Sequence, residues 1–185
     1  KWIDAASQMG CHSVRVNLYG VEQKKKWMEY SSSSLTSLSE FSKDYNINVI
    51  VENHGSLSSN AELLMQVINN VNLKNCGTLP DFGNFCMKRL DGDLYDSECI
   101  KEYDRYKGLK EMMPKAFAVS AKSNLFNKNG EEVNIDYLRM LRIVKNSGYN
   151  GYIGVEYEGH DLSVSEVDGI LATKNLLINK GKLIT

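Results

Sequence analysis

Five times along the chain an apolar run of strand-forming residues breaks off into polar side chains. Residues 13–19, Ser-Val-Arg-Val-Asn-Leu-Tyr, alternate strictly, with Val14, Val16 and Leu18 on one side and Arg15, Asn17 and Tyr19 on the other. Residues 48–54, Asn-Val-Ile-Val-Glu-Asn-His, set Ile50, Glu52 and His54 on one side of a strand and Val49, Val51 and Asn53 on the other. Cys76 to Asp81 (a short strand broken by Pro80), Phe117 to Lys122 and Tyr152 to Tyr157 complete the set. Between the strands, apolar spacing predicts helices over residues 1–9, Leu35 to Tyr45, the stretch through Leu63, Leu64, Val67 and Ile68, residues 96–113, Ile135 to Ser147, and Val164 to Asn179. Pro114 ends one helix and Gly148 another. Ser31 to Ser34 reads as a solvated loop ahead of the second helix. Regular alternation of strand and helix predicts an α/β fold with a parallel sheet covered by helices, and the right-handed crossover confines it to a barrel or a doubly wound sheet. No Gly-x-Gly-x-x-Gly follows a strand, which weighs against a nucleotide site.

Composition narrows this little. The 185 residues, 42% hydrophobic with a formal net charge of -1, predict one soluble globular domain over residues 1–185. Balanced charge argues against a nucleic-acid partner, and no apolar run reaches the ~18 residues of a membrane span. Cys11, Cys76, Cys86 and Cys99 match no zinc-ligand spacing and are expected as reduced thiols. No signal peptide opens the sequence, so the cytoplasm is the default expectation, with an export signal in an absent N-terminus left open.

The polar groups at the strand ends change the picture more. They are Arg15 and Asn17, Glu52 and His54, Asp81 with Asn84 on the loop behind it, Ser120 and Lys122, and Glu156 and Glu158. Residues two apart share a face of a strand, and in a barrel that face points to the axis, at the end where barrel enzymes do their chemistry. Glu52, Asp81 and Glu156 around one point repel each other, and burying them is costly unless they are paired or bind a cation. Oxygen ligation suits Mg²⁺ or Mn²⁺, and a histidine such as His54 admits Co²⁺ or Zn²⁺. Each residue alone has a plainer reading: a salt-bridged glutamate, a hydrogen-bonded structural histidine, a snorkelling Lys122, a turn-forming Asp81. The functional reading rests on five strands in series.

Four segments carry a resemblance: Val51-Glu-Asn-His-Gly55, Leu79-Pro-Asp-Phe-Gly-Asn-Phe85, Val119-Ser-Ala-Lys-Ser123, and Gly148-Tyr-Asn-Gly-Tyr-Ile-Gly-Val-Glu-Tyr-Glu-Gly159. In order and spacing they resemble the sugar phosphate isomerase/epimerase family of xylose isomerase-like barrels. The resemblance implies a (β/α)8 barrel of TIM type holding one divalent metal ion (Mn, Co, Mg or Zn) on Glu52, Asp81, the position of Ser120, and Glu156. Ser120 stands where the family has histidine. That leaves three carboxylates plus water, a nitrogen from His54, or a weakened site. The resemblance also implies that Glu52 and Glu156 move the proton on opposite faces of a carbon next to a carbonyl, in a small sugar or sugar phosphate. Arg15, Asn17, His54, Asn84, Lys122 and Glu158 are the expected substrate contacts.

The family has eight strands and five are read here, as the fourth to the eighth. The first three βα units are therefore expected to be missing, and the opening at Lys1, inside a helical stretch, agrees with a truncated sequence. An incomplete barrel exposes two strand edges and part of its core, which favours aggregation or pairing and leaves a homo-oligomer open. Two alternatives stay open: a dehydratase on the same barrel, which begins with the same proton abstraction, and a non-catalytic, sugar-binding barrel remnant. A nuclease of the same fold requires a histidine-rich zinc site, and this chain has only His12, His54 and His160.

Overall fold

Among the described residues, thirteen α-helices and strands follow one another as α1 (Trp2–Gln8), β1 (Ser13–Val16), α2 (Lys24–Lys43), β2 (Asn48–Glu52), α3 (Ala61–Val71), β3 (Cys76–Leu79), β4 (Cys86–Arg89), β5 (Cys99–Glu102), α4 (Arg105–Met112), β6 (Val119–Ser123), α5 (Tyr137–Asn146), β7 (Ile153–Tyr157) and α6 (Glu166–Gly181). The structure, a computed structural model, describes residues 1–92, 97–161 and 163–184. The strands β1, β2 and β3 pair in parallel, as do β6 and β7. Parallel bridges from Thr78 to Ala116 and from Asp81 to Ser120 join the two groups into one arc, β1-β2-β3-β6-β7.

The arc places the polar strand ends. Glu52 pairs with Leu79, Asp81 with Ser120, and Lys122 with Glu156. Register partners in a parallel sheet point the same way, so these side chains share the face opposite the helices. The alternate residues feed two apolar layers. Val49 and Val51 pack with Leu35, Leu64, Val67 and Ile68 of α2 and α3. Val119 and Ala121 pack with Leu109, Met140, Leu141 and Leu176 of α4, α5 and α6. Helix starts are fixed by side-chain caps: Asn60 accepts from the Leu63 N–H, and Asp136 from the Arg139 N–H.

Four sequence expectations need correction. Helix α2 starts at Lys24, eleven residues before Leu35, and contains Ser31 to Ser34. Its buried side runs through Trp27, Ser31, Leu35, Ser39 and Ser42, so serines fill close-packed positions that a polarity pattern assigns to solvent. Thr36 and Ser37 turn their hydroxyls back to the Ser32 and Ser33 carbonyls. The helix expected over 96–113 is shorter: its first residue lies outside the described residues, residues 99–102 are strand, and the helix begins at Arg105 behind the Asp104 cap. The strands β4 and β5 form an antiparallel hairpin outside the arc. Third, Cys86 and Cys99 are joined by a disulfide across that hairpin, with Cα atoms 5.9 Å apart, while Cys11 and Cys76 are free. The hairpin brings together two cysteines whose spacing carries no signal of its own. Finally, β3 stops at Leu79, at the break that Pro80 makes, so Asp81 lies beyond the strand; it keeps its place because Ser120 N–H donates to the Pro80 carbonyl and Phe82 N–H to the Ser120 carbonyl.

Among the described residues, β1 pairs only with β2 and β7 only with β6, which leaves two edges to the arc. Tyr152 and Val155, at and before the outer edge of β7, are exposed. No helix among the described residues is long and apolar enough to cross a membrane.

Candidate metal centre

Glu52 from β2, Asp81 behind β3 and Glu156 from β7 each present a carboxylate oxygen, and these oxygens lie within 4.8 Å of one another. Glu52 and Asp81 are fully buried and Glu156 is half-buried. Asp81 is held rigidly. Its Oδ1 accepts the Gly83 and Asn84 N–H groups, both at 2.8 Å. Asn53, on the other face of the strand end, accepts the Asp81 N–H at 2.8 Å and donates to the carbonyls of Asp81 and Asn84. The second oxygen of Asp81, Oδ2, is buried with no hydrogen-bond partner.

The flanking glutamates are charge-paired. Arg15 donates to Glu52 Oε2, and the Asn84 amide donates to Oε1 at 3.2 Å. Ser120 donates its hydroxyl to Glu156 Oε2 at 2.5 Å, and Lys122 Nζ lies 3.2 Å from Oε1. Lys122 is buried and also donates to Glu158 at 2.6 Å and to Asn84 Oδ1 at 3.1 Å. Asn84 and Lys122 thus bridge Glu52 to Glu156.

These surroundings divide the carboxyls. Burial pushes Asp81 up to about 8, against the opposing pull of Lys122. Burial also raises Glu52, more than the Arg15 guanidinium lowers it. Burial acts to raise Glu156 as well, but the Ser120 hydroxyl and the Lys122 ammonium together prevail and hold it below the ordinary range. Burial disfavours the Lys122 charge, yet Asp81, Glu158 and Glu156 keep it firmly protonated. An orphaned, buried carboxylate oxygen facing two further carboxylates fits a divalent cation, which would replace repulsion by ligation. The donors present are all oxygens, with the Ser120 hydroxyl beside them, a set that suits a hard cation.

The structure gathers Arg15, Glu52, Asp81, Asn84, Ser120, Lys122, Glu156 and Glu158 into this network. It sets two expected residues apart. His54 is outside the carboxylate cluster; its Nδ1 lies 2.5 Å from the Tyr19 hydroxyl, with the rings edge to face. Asn17 has a buried Oδ1 with no hydrogen-bond partner. Glu52, Glu156, Arg15 and Ser120 line a cavity of about 360 Å³. His54, Asn84, Lys122, Asn124 and Glu158 line another of about 610 Å³ over the strand ends, and Asn84 and Lys122 stand between the two. Sequence reasoning missed Tyr19, Asn53 and the hairpin's Arg89, which also borders the larger cavity. Tyr19 did carry a signal, since it continues the Arg15–Asn17 alternation. Asn53 carried a weaker one, an amide in an otherwise apolar face.

The sequence family described as Xylose isomerase-like TIM barrel matches residues 1–179. A solved structure of the IolI protein with a bound zinc atom superposes with a TM-score of 0.70 at 18% identity, covering 100% of this chain and 68% of that one. A structure of an L-ribulose 3-epimerase gives 0.69 at 14% identity, covering 98% of this chain and 64% of that one. At these identities the likeness is one of fold. The C-glycoside deglycosidase alpha subunit of Arthrobacter globiformis is 33% identical over 73 residues, which are 38% of this chain and 21% of that protein. The chain thus spans about two-thirds of the similar structures, and its match spans about a fifth of the curated relative.

Proposed function

We propose that this chain, which belongs to the xylose isomerase-like TIM barrel family, serves a divalent-metal-dependent isomerisation or epimerisation of a sugar at a carbon next to a carbonyl. The observation that carries the reading is the convergence of Glu52, Asp81 and Glu156, with Asp81 Oδ2 buried and without a hydrogen-bond partner. A cation held by these carboxylates supplies positive charge where the substrate's carbonyl oxygen gathers negative charge.

The chain's own residues account for the proton. Glu156 is held ionised by Ser120 and Lys122, which suits it to take a proton from the substrate carbon. Glu52 has a raised pKa, which suits it to return one. The two come from strands β2 and β7, with β3 and β6 between them, and so flank the site from two sides. Lys122, Asn84 and Arg15 fix both carboxylates and leave Asn124 and Glu158 to orient hydroxyls.

The test is solvent exchange. Metal-loaded protein in D₂O should place deuterium on the carbon next to the carbonyl of a recovered ketose, and Glu156→Gln should abolish the exchange. A full screen of ketoses without exchange would reject the proposal. A second reading draws on the segment 33% identical to the deglycosidase subunit: elimination, in which the same proton abstraction is followed by departure of a group β to the carbonyl. Release of that group, in place of exchange into intact sugar, would select elimination, the dehydratase route included.

A further inference from the structure

We infer, resting on the sugar chemistry proposed above, that the substrate is an uncharged sugar and not a phosphate ester. Barrel enzymes commonly seat a phosphate at the ends of their last two strands, on loop amides and on the N-terminus of a helix. In this chain both places are taken up by its own side chains.

Behind β6, the Glu132 side chain is buried inside its loop and collects four backbone N–H groups. They come from Asn124 and Leu125, each at 3.4 Å, from Asn134 at 2.6 Å, and from Ile135. The amides that an anion would need are already spent on a residue of the loop itself. Behind β7, the start of α6 is capped by Ser165, whose Oγ accepts the Asp168 N–H at 3.1 Å. Glu166 and Asp168 occupy the first turn and take the favourable end of the helix dipole. Glu166 also borders the 610 Å³ cavity, so an incoming dianion meets a carboxylate there.

The cations around the cavity are committed too. Lys122 directs its ammonium to Glu156, Glu158 and Asn84. Arg89 donates to the Ser97 carbonyl. Lys122 and Arg89 are balanced on the cavity wall by Glu158 and Glu166. What the wall offers beyond these charges is amide and imidazole chemistry from Asn84, Asn124, His54 and His160, which matches hydroxyls.

The experiment is a binding titration by calorimetry on Mg²⁺-loaded protein, with a ketohexose and its terminal phosphate ester as paired probes and inorganic phosphate as competitor. The free ketose should bind at least about tenfold more tightly than the ester, the order expected for one poorly matched charge. Excess inorganic phosphate should leave ketose affinity unchanged. Glu166→Gln should narrow the preference by about two- to fivefold, the worth of one charge at a helix start. Tighter binding of the ester, displacement of ketose by phosphate, or an unchanged preference in Glu166→Gln would overturn the inference. Failure of both sugars to bind would instead overturn the sugar reading beneath it.

Discussion

Replacing Asp81 by asparagine should make the metal-free protein more stable while removing its hold on a cation. In the folded chain burial raises the Asp81 carboxyl from 3.8 to about 8. Below about pH 4 the proton is bound in both folded and unfolded chains, and the residue is neutral to stability. Above that, the unfolded chain releases the proton and the folded one retains it until about pH 8, so stability falls as pH rises. At ~1.36 kcal/mol per pH unit, the loss between pH 4 and pH 7 approaches about 4 kcal/mol. Asparagine keeps the Oδ1 acceptor for the Gly83 and Asn84 N–H groups and carries no charge to desolvate. Its amide nitrogen replaces an oxygen that has no partner and lies close to Glu52 and Glu156. Urea unfolding with chelator present, from pH 4 to pH 8, should show the variant gaining roughly 2–4 kcal/mol over the parent at pH 7 and nothing near pH 4. A pH-independent difference, or a variant weaker than the parent at pH 7, would refute the reasoning.

Other consequences follow from the same network. Lys122→Met removes the ammonium between Glu156 and Glu158 and raises the Glu156 pKa, so the acidic limb of the pH–rate profile should move to higher pH; an unmoved limb would show that Lys122 does not tune Glu156. Ser120→His adds a nitrogen donor beside the carboxylates and should shift metal preference toward Zn²⁺ or Co²⁺, read by competition titration against Mn²⁺. Reduction of the Cys86–Cys99 disulfide should loosen the hairpin that carries Arg89, read as faster proteolysis between β4 and β5 with the arc intact.

The arc was legible because its strands announce themselves twice, through apolar alternation and through the polar residue that ends each run. Glu52, Asp81 and Glu156 came out together for that reason: a period of two fixes their face, and parallel register carries it from strand to strand. The hairpin was not legible. Cys86–Arg89 and Cys99–Glu102 are short and hold no buried residue, so neither shows a buried face, and the apolar residues around Ile100 imitate a helical repeat. The start of α2 was lost because Ser31 takes a buried place on its packing side within a serine run that reads as solvated. His54 shows the limit at the site itself. It shares the strand alternation of Glu52, but Gly55, at a φ of 85°, bends the chain just beyond it, and the Ser58 hydroxyl takes its N–H. The imidazole consequently bonds Tyr19 and stays outside the carboxylate cluster.

Stoichiometric titration with Mn²⁺, followed by calorimetry on protein stripped of metal, tests the centre of the account most directly. One ion per chain should bind, and Asp81→Asn and Glu156→Gln should each weaken it by more than the roughly 10- to 100-fold typical of losing an outer-shell partner. Absence of binding, or an affinity that both substitutions leave intact, would contradict the assignment of the three carboxylates to a metal.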